Sequence, residues 1–307
     1  MRKVISLLAL LSIFLCSCEE NINYLGEFEQ QYSLNCILRS DKDMQFATIK
    51  KSYPPGEENQ SSDIQNAIIR LILPDTTLIF KDSVLSESHT GNSSVNSFYY
   101  LDNYRLTKNT EIEIEALLPE GTVLTSETKS PYYYTLKLLS GGELMIIPDE
   151  NSSDLYFFKW DMFGNYVSFI FGPSFYISYF ISGNEEIIHY KKVTGKHVQQ
   201  LNRYEVPMGF IEKAMQDISI GIDDKAIINI IGACFEVKVY DTALGIYANS
   251  IQTFEDEFSV RISEPNISNI NGGFGIFGSY ISEKFDIEIT SNYISSFGYT
   301  PAPKPGE

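Results

Sequence analysis

This sequence holds little that suits metal or redox chemistry. Its 307 residues include three histidines, His89, His189 and His197, whose spacing forms neither HxxxH nor HExxH. Zinc and iron sites need imidazoles that converge on one ion, and those spacings achieve this on one helix face. The four cysteines, Cys16, Cys18, Cys36 and Cys234, contain no CxxC pair. Positive charge is scarce: 23 Lys and Arg stand against 40 Asp and Glu, for a formal charge of −17. Nucleic-acid binding relies on a basic stripe that displaces phosphate counterions, so nucleic acid is excluded as a partner. Electrostatic docking on anionic lipid is excluded on the same ground. No GxSxG occurs. No apolar run reaches the roughly twenty residues that a bilayer-spanning helix needs.

What is present begins with MRKVISLLALLSIFLCSCEE, where Arg2 and Lys3 precede an apolar run from Val4 to Leu15. That is the make-up of a signal-peptide core. Leu15-Cys16-Ser17-Cys18 resembles a bacterial lipobox, with a leucine three positions and a small residue one position before Cys18. Cleavage is expected between Ser17 and Cys18, with lipid on the Cys18 thiol and its new amine. Cys16 fits less well, because Leu15 would stand where the small residue is needed. An ordinary secretory signal with incidental cysteines is the alternative. One acyl chain holds a protein marginally, and each buried methylene adds about 0.8 kcal/mol, so several chains anchor it permanently.

Glu19 and Glu20 follow the cysteine directly. The acidic pair resembles the export signal of surface lipoproteins in the Bacteroidota. The expected location is the outer membrane, on its cell-surface face, with the periplasmic face as the alternative. Residues 1–17 are then the signal peptide and 18–29 a polar lipidated tether. Cys36 in LNCIL and Cys234 in IIGACFEV sit in apolar strand-like contexts. Separate buried thiols are expected, since an isolated cysteine behaves as a small core hydrophobe. A disulfide between them stays open in an oxidising compartment.

Period-two alternation runs through the rest. In EIEIEALL (111–118), Ile112 and Ile114 share one face, and Glu111, Glu113 and Glu115 the other. A strand of that kind has one dry and one wet face, as antiparallel sheets do. FEVKVY (235–240) and KFDIEIT (284–290) repeat the pattern. The expected fold is all-β, mainly antiparallel, with a few short helices. Strands are expected near 31–39, 45–51, 66–73, 77–81, 95–101, 109–117 and 122–128, separated by polar loops at 53–63 and 84–94. Seven short strands in about a hundred residues predict an immunoglobulin-like sandwich over 30–130. The antibody-type Cys…Trp…Cys and tyrosine-corner marks are absent.

Lys129-Ser130-Pro131 is the expected junction to a second β-rich domain over 131–299. Its aromatic runs, YYYTL, LYFFKWDMF and FIFGPSFYISYF, read either as core packing or as a ligand platform. Two helices are expected there. One covers 208–218, with Phe210, Ile211, Ala214, Met215 and Ile218 on the apolar face. The other covers 243–253, capped by Asp241 or Thr242. The proline-rich tail, 300–307, is expected to be disordered.

NGGFGIFGSY (271–280) contains GxGxxG, a spacing that can cradle a pyrophosphate. A dinucleotide turn must follow a strand and open a helix. Here a polar stretch precedes it, an alternating strand follows, and SSNYISS twenty positions on holds no acidic residue. A structural glycine loop at Gly272, Gly273, Gly275 and Gly278, packed against the second domain, is expected instead. Ser126-Glu127-Thr128-Lys129 matches SxxK without the SDN or KTG partners of the serine–lysine enzymes. Asp149, Asn151 and Ser153 start like a calcium loop, but Asp154 and Trp160 replace its required glycine and glutamate. Glu255-Asp256-Glu257 reads as a solvated charge run. No catalytic residue, metal or cofactor follows from these patterns.

Three longer marks are YSLNCILRSDKDMQFATIKKSYP, YRLTKNTEIEIEALLPEGTVLTSETKSP and YANSIQTFEDEFSVRISEPNISNINGGFGIFGSY. With the lipobox they resemble the Bacteroidota outer-membrane lipoproteins grouped as domain of unknown function four-two-four-nine. The resemblance implies that Asn269, Ile270, Gly272, Gly273, Gly275, Ile276, Phe277 and Gly278 are family architecture. It brings no catalytic residue with it. It implies a non-enzymatic protein that assists nutrient uptake or ligand capture beside a TonB-dependent transporter. A structural or adhesive surface module is the alternative, and a hydrolase with an unrecognised carboxylate site is a second.

Overall fold

A computed structural model describes residues 28–54, 62–89, 92–132, 135–139, 145–146, 155–163, 169–184, 186–198, 203–252 and 267–303. Ser17, Cys18, the calcium-like stretch from Asp149 and the run Glu255-Asp256-Glu257 lie outside them. The expected all-β, mainly antiparallel build is what the chain adopts.

The first eight strands are β1 (Tyr32–Arg39), β2 (Gln45–Lys51), β3 (Ile68–Leu73), β4 (Thr76–Ile79), β5 (Lys81–His89), β6 (Asn92–Leu101), β7 (Glu111–Leu117) and β8 (Val123–Lys129). They divide between two sheets, with neighbour orders β1-β2-β6-β5 and β4-β3-β7-β8. Their dry faces meet in one core, Leu34, Leu38, Ile49 and Tyr99 from the first sheet and Ile69, Leu71, Ile114 and Leu124 from the second. Tyr99 has no exposed surface. Its hydroxyl donates to the Ile64 carbonyl at 2.8 Å and accepts from the Ala67 N–H at 3.0 Å, pinning the segment that crosses between the sheets.

One expectation changes here. The polar stretch 84–94 is mostly a hairpin, β5 pairing with β6 from Lys81↔Tyr100 to His89↔Asn92. Serine and asparagine hide the strand from a hydrophobicity pattern, while the ladder uses only backbone groups. Ser130, at the expected junction, is 2% exposed. Its hydroxyl donates to the Thr107 carbonyl at 2.6 Å and accepts from the Thr110 N–H at 2.8 Å, which ties this point to the start of β7.

The remaining strands are β9 (Thr135–Leu139), β10 (Met145–Ile146), β11 (Leu155–Phe163), β12 (Phe169–Ile181), β13 (His189–Val193), β14 (Lys196–Val198), β15 (Arg203–Pro207), β16 (Ile228–Tyr240), β17 (Phe274–Ile289) and β18 (Thr300–Pro301). Three α-helices stand among the described residues: α1 (Met208–Ile218), α2 (Thr242–Gln252) and α3 (Ser291–Ser296). α1 and α2 lie where the sequence predicts them. α1 buries Ile211, Ala214, Met215 and Ile218, but Phe210 faces solvent. The pattern had placed Phe210 beside Ile211, yet the buried stripe is only wide enough for the i, i+3, i+4 set.

β14-β15-β11-β9 forms a third sheet. It stacks on β12 and β16 through aromatic rings, with Phe158 5.2 Å from Phe175 and 4.7 Å from Phe235. These three rings are core, not a ligand platform. Cys36 and Cys234 are not joined as a disulfide. Burial pushes the Cys36 thiol up to about 12, so it stays protonated and inert.

The boundary near 130 does not interrupt the largest sheet, whose order is β13-β12-β16-β17-β1-β2-β6-β5. β17 makes that continuity. Its first half runs parallel to β1, from Ser33↔Phe274 to Arg39↔Tyr280. Its second half runs antiparallel to β16, from Tyr240↔Tyr280 to Ala233↔Ile287. Sixteen residues at about 3.3 Å each are long enough to serve both partners in turn.

The tail also departs from expectation. Thr300 and Pro301 pair with Asn229 and Ile230 of β16, and the Ala302 N–H donates to the Ile230 carbonyl at 2.9 Å. Proline is tolerated there because the last strand at an edge needs no donor on its open side.

Candidate functional site

β8 is an edge strand, and its end at Glu127, Thr128 and Lys129 stands beside the start of α2. The gap is a groove of about 940 Å3. Its strand wall comes from the ends of β3, β7 and β8, including Ile72, Ile112, Glu113 and Glu127. The opposite wall comes from Thr242, Ala243 and Ile246 of α2, with Ile267, Ser268, Asn269 and Ile276. Such a volume lies within the range of small-ligand sites.

Alternation along β7 and β8 explains the chemistry of the strand wall. Ile112, Ile114, Leu124 and Ser126 point to the core, so Glu111, Glu113, Glu127 and Lys129 point out. Across the pair, Glu111 faces Lys129 and Glu113 faces Glu127. Lys129 Nζ meets Glu111 at 3.3 Å. Glu113 and Glu127 face each other as like charges, a destabilising arrangement.

The helix wall is held by Asp241, which is 1% exposed. One carboxylate oxygen accepts the Leu244 N–H at 2.8 Å and caps α2. The other accepts from Thr128 Oγ1 on β8 and Ser279 Oγ on β17, both at 2.7 Å. Of the two residues that could cap α2, it is Asp241 whose side chain does so. Burial raises its pKa, while these donors pull the other way. One carboxylate therefore fixes α2 against β8 and β17 and sets the width of the groove.

The glycines support the same corner but do not form a loop on the second domain. Most of 271–280 is strand; Gly272, Gly273 and Gly275 lie against the N-terminal strands and Gly278 against α2. The physical reason is that the Cα atoms of Gly272, Gly273, Gly275 and Gly278 are each approached by another segment. A Cβ on Gly272 would stand 2.6 Å from the Val123 carbonyl oxygen, and one on Gly273 2.5 Å from that of Tyr32. Gly275 has φ +114°, and a Cβ there would overlap the Leu34 carbonyl. Gly278 admits Leu244 of α2, whose Cβ would be 2.9 Å away. Asn269 acts as a short substitute strand: its side chain accepts the Phe277 N–H at 2.9 Å and donates to the Phe277 carbonyl at 2.6 Å. These glycines lead into β17, whereas a pyrophosphate turn opens a helix.

The SxxK residues are on β8 but on opposite faces. Ser126 Oγ donates to the Asn269 carbonyl at 2.6 Å, inside, while Lys129 pairs with Glu111 outside. A serine and lysine so placed cannot share a proton. His189 stacks on Tyr179 at 5.2 Å, and burial lowers the pKa of His197. No group of three or more metal-ligating side chains converges among the described residues. Sequence reasoning saw the wet face of β7 and the cap of α2, but not that one lies against the other. Only the acidic face of EIEIE hinted at it.

No protein-family model matches the chain, and a search of curated proteins finds no match to it.

Proposed function

We propose that this chain is a lipid-anchored outer-membrane lipoprotein on the cell-surface face. In this reading it captures a ligand or assists nutrient uptake beside a TonB-dependent transporter, without catalysis of its own. The observation that carries the reading is Leu15-Cys16-Ser17-Cys18 after a short apolar core. The resemblance to the domain of unknown function four-two-four-nine supplies the transporter. We read the first eight strands as an immunoglobulin-like unit, because orders β1-β2-β6-β5 and β4-β3-β7-β8 correspond to ABED and to CFG with one added strand. In this reading the groove beside β8 is the ligand site.

Cys18→Ala is expected to abolish incorporation of radiolabelled fatty acid, since only a thiol can form the thioether. A variant that still labels would overturn the lipobox. Affinity purification of the full chain from native membranes in mild detergent should bring down an outer-membrane β-barrel. If none co-purifies, the transporter role fails.

A further inference from the structure

We propose that the groove binds an extended peptide segment carrying basic side chains, held as an added strand on the edge of β8. This deepens the ligand-capture reading of the groove and rests on it.

The backbone supplies the first argument. Thr125 exchanges two backbone hydrogen bonds with Asn271 across the outer edge of β8, at 3.1 and 2.8 Å. On the inner side, the Ser130 N–H bonds the Thr110 carbonyl at 2.9 Å. Backbone direction alternates along a strand, so Glu127 and Lys129 aim their N–H and C=O groups outward, as Thr125 does. Among the described residues, pairing on that edge stops at Asn271. The groove begins where the pairing stops. An open strand edge in a cleft is the template for strand addition.

The side chains specify what the strand carries. Since Thr125 bonds outward, Glu113↔Glu127 is a pair without direct ladder bonds, in which Cα atoms stand about 4.5 Å apart and side chains are closest. Two exposed carboxylates therefore meet at the rim, and the neighbouring Lys129 is drawn to Glu111. A lysine or arginine from an added strand would answer both charges. Alternate residues of that strand would turn toward the apolar parts of the walls, such as Ile246, which is 47% exposed. A strand reads its partners with period two, and this groove offers acid and apolar surfaces in that period.

The test uses the full chain in nonionic detergent and a fluorescein-labelled octapeptide of alternating valine and lysine. Anisotropy should show saturable binding that weakens as salt is raised. Glu113→Gln with Glu127→Gln should weaken it by about tenfold or more. Both side chains are exposed and the substitutions remove a like-charge pair, so the double variant should melt no lower than the parent. The same peptide with alternate amides N-methylated loses the ladder donors and should bind about tenfold less tightly or worse. Equal binding of a valine–glutamate peptide, equal binding of the methylated peptide, or unchanged affinity in the double variant would each overturn the proposal. Failure here leaves fatty-acid labelling and barrel co-purification unaltered. Loss of those two with peptide binding retained would sink the transporter reading instead.

Discussion

Gly275→Val is expected to destabilise the protein by about 3 kcal/mol, read as a lowered denaturant midpoint at unchanged slope. The cause is twofold. Gly275 sits at φ +114°, where a β-branched residue is strained, and its Cα lies against the Leu34 carbonyl. Valine there must part β17 from β1 at the register Leu34↔Gly275, the seam that joins the two ends of the chain. Phe277→Ala should cost about 3–5 kcal/mol, because that ring has no exposed surface. Neither loss should depend on added nucleotide. Unaltered unfolding together with loss of a saturable NAD or FAD signal would restore the dinucleotide reading of the glycines.

Asp241→Ala should cost about 3 kcal/mol in the same assay. Removing a helix cap accounts for about 1 kcal/mol. Leaving the Thr128 and Ser279 hydroxyls without their acceptor adds about 1–3 kcal/mol. Asp241→Asn keeps the cap acceptor and separates charge from shape. The folded-state pKa of Asp241 is raised above 3.8 by burial, so the folded protein holds this proton more tightly than the unfolded chain. Its contribution is fully present below 3.8 and is lost as pH rises through the folded value. The stability of the parent relative to Asp241→Asn should therefore fall as pH rises from 4 toward neutrality. A difference that grows with pH would mean that the hydrogen-bond donors outweigh burial.

Much of the fold was legible because local rules suffice for it. Alternation in EIEIEALL gives β7 with the correct residues inside. In FEVKVY it places Phe235, Val237 and Val239 inside at the end of β16, but Glu236, expected on the wet face, is buried and accepts from Ser282 Oγ at 2.6 Å. Spacing gives α1 to the residue, and a short polar residue before an amphipathic run offers Asp241 or Thr242 as a cap, between which only the structure chooses. The hairpin β5–β6 was not legible, because a ladder of serines and asparagines carries no hydrophobic signal. The bound tail was not legible either, since Thr300 and Pro301 gain their place only from a free stretch of β16.

The sequence by itself determined strand class, most strand positions, two helices and the acidic character of one strand face. Those follow from side-chain period and from which groups prefer water. Tertiary structure alone decided that β17 lies parallel to β1. Their partners are more than two hundred residues apart, and no local preference records such a pairing. It also decided that the glycines serve close chain approach. Finally, it decided that Asp241 holds α2 beside the open edge of β8, turning an acidic strand face into one wall of a groove. A backbone edge and a facing helix become a site only when packing brings them together, because the groups that form it belong to segments that do not touch until the core has closed.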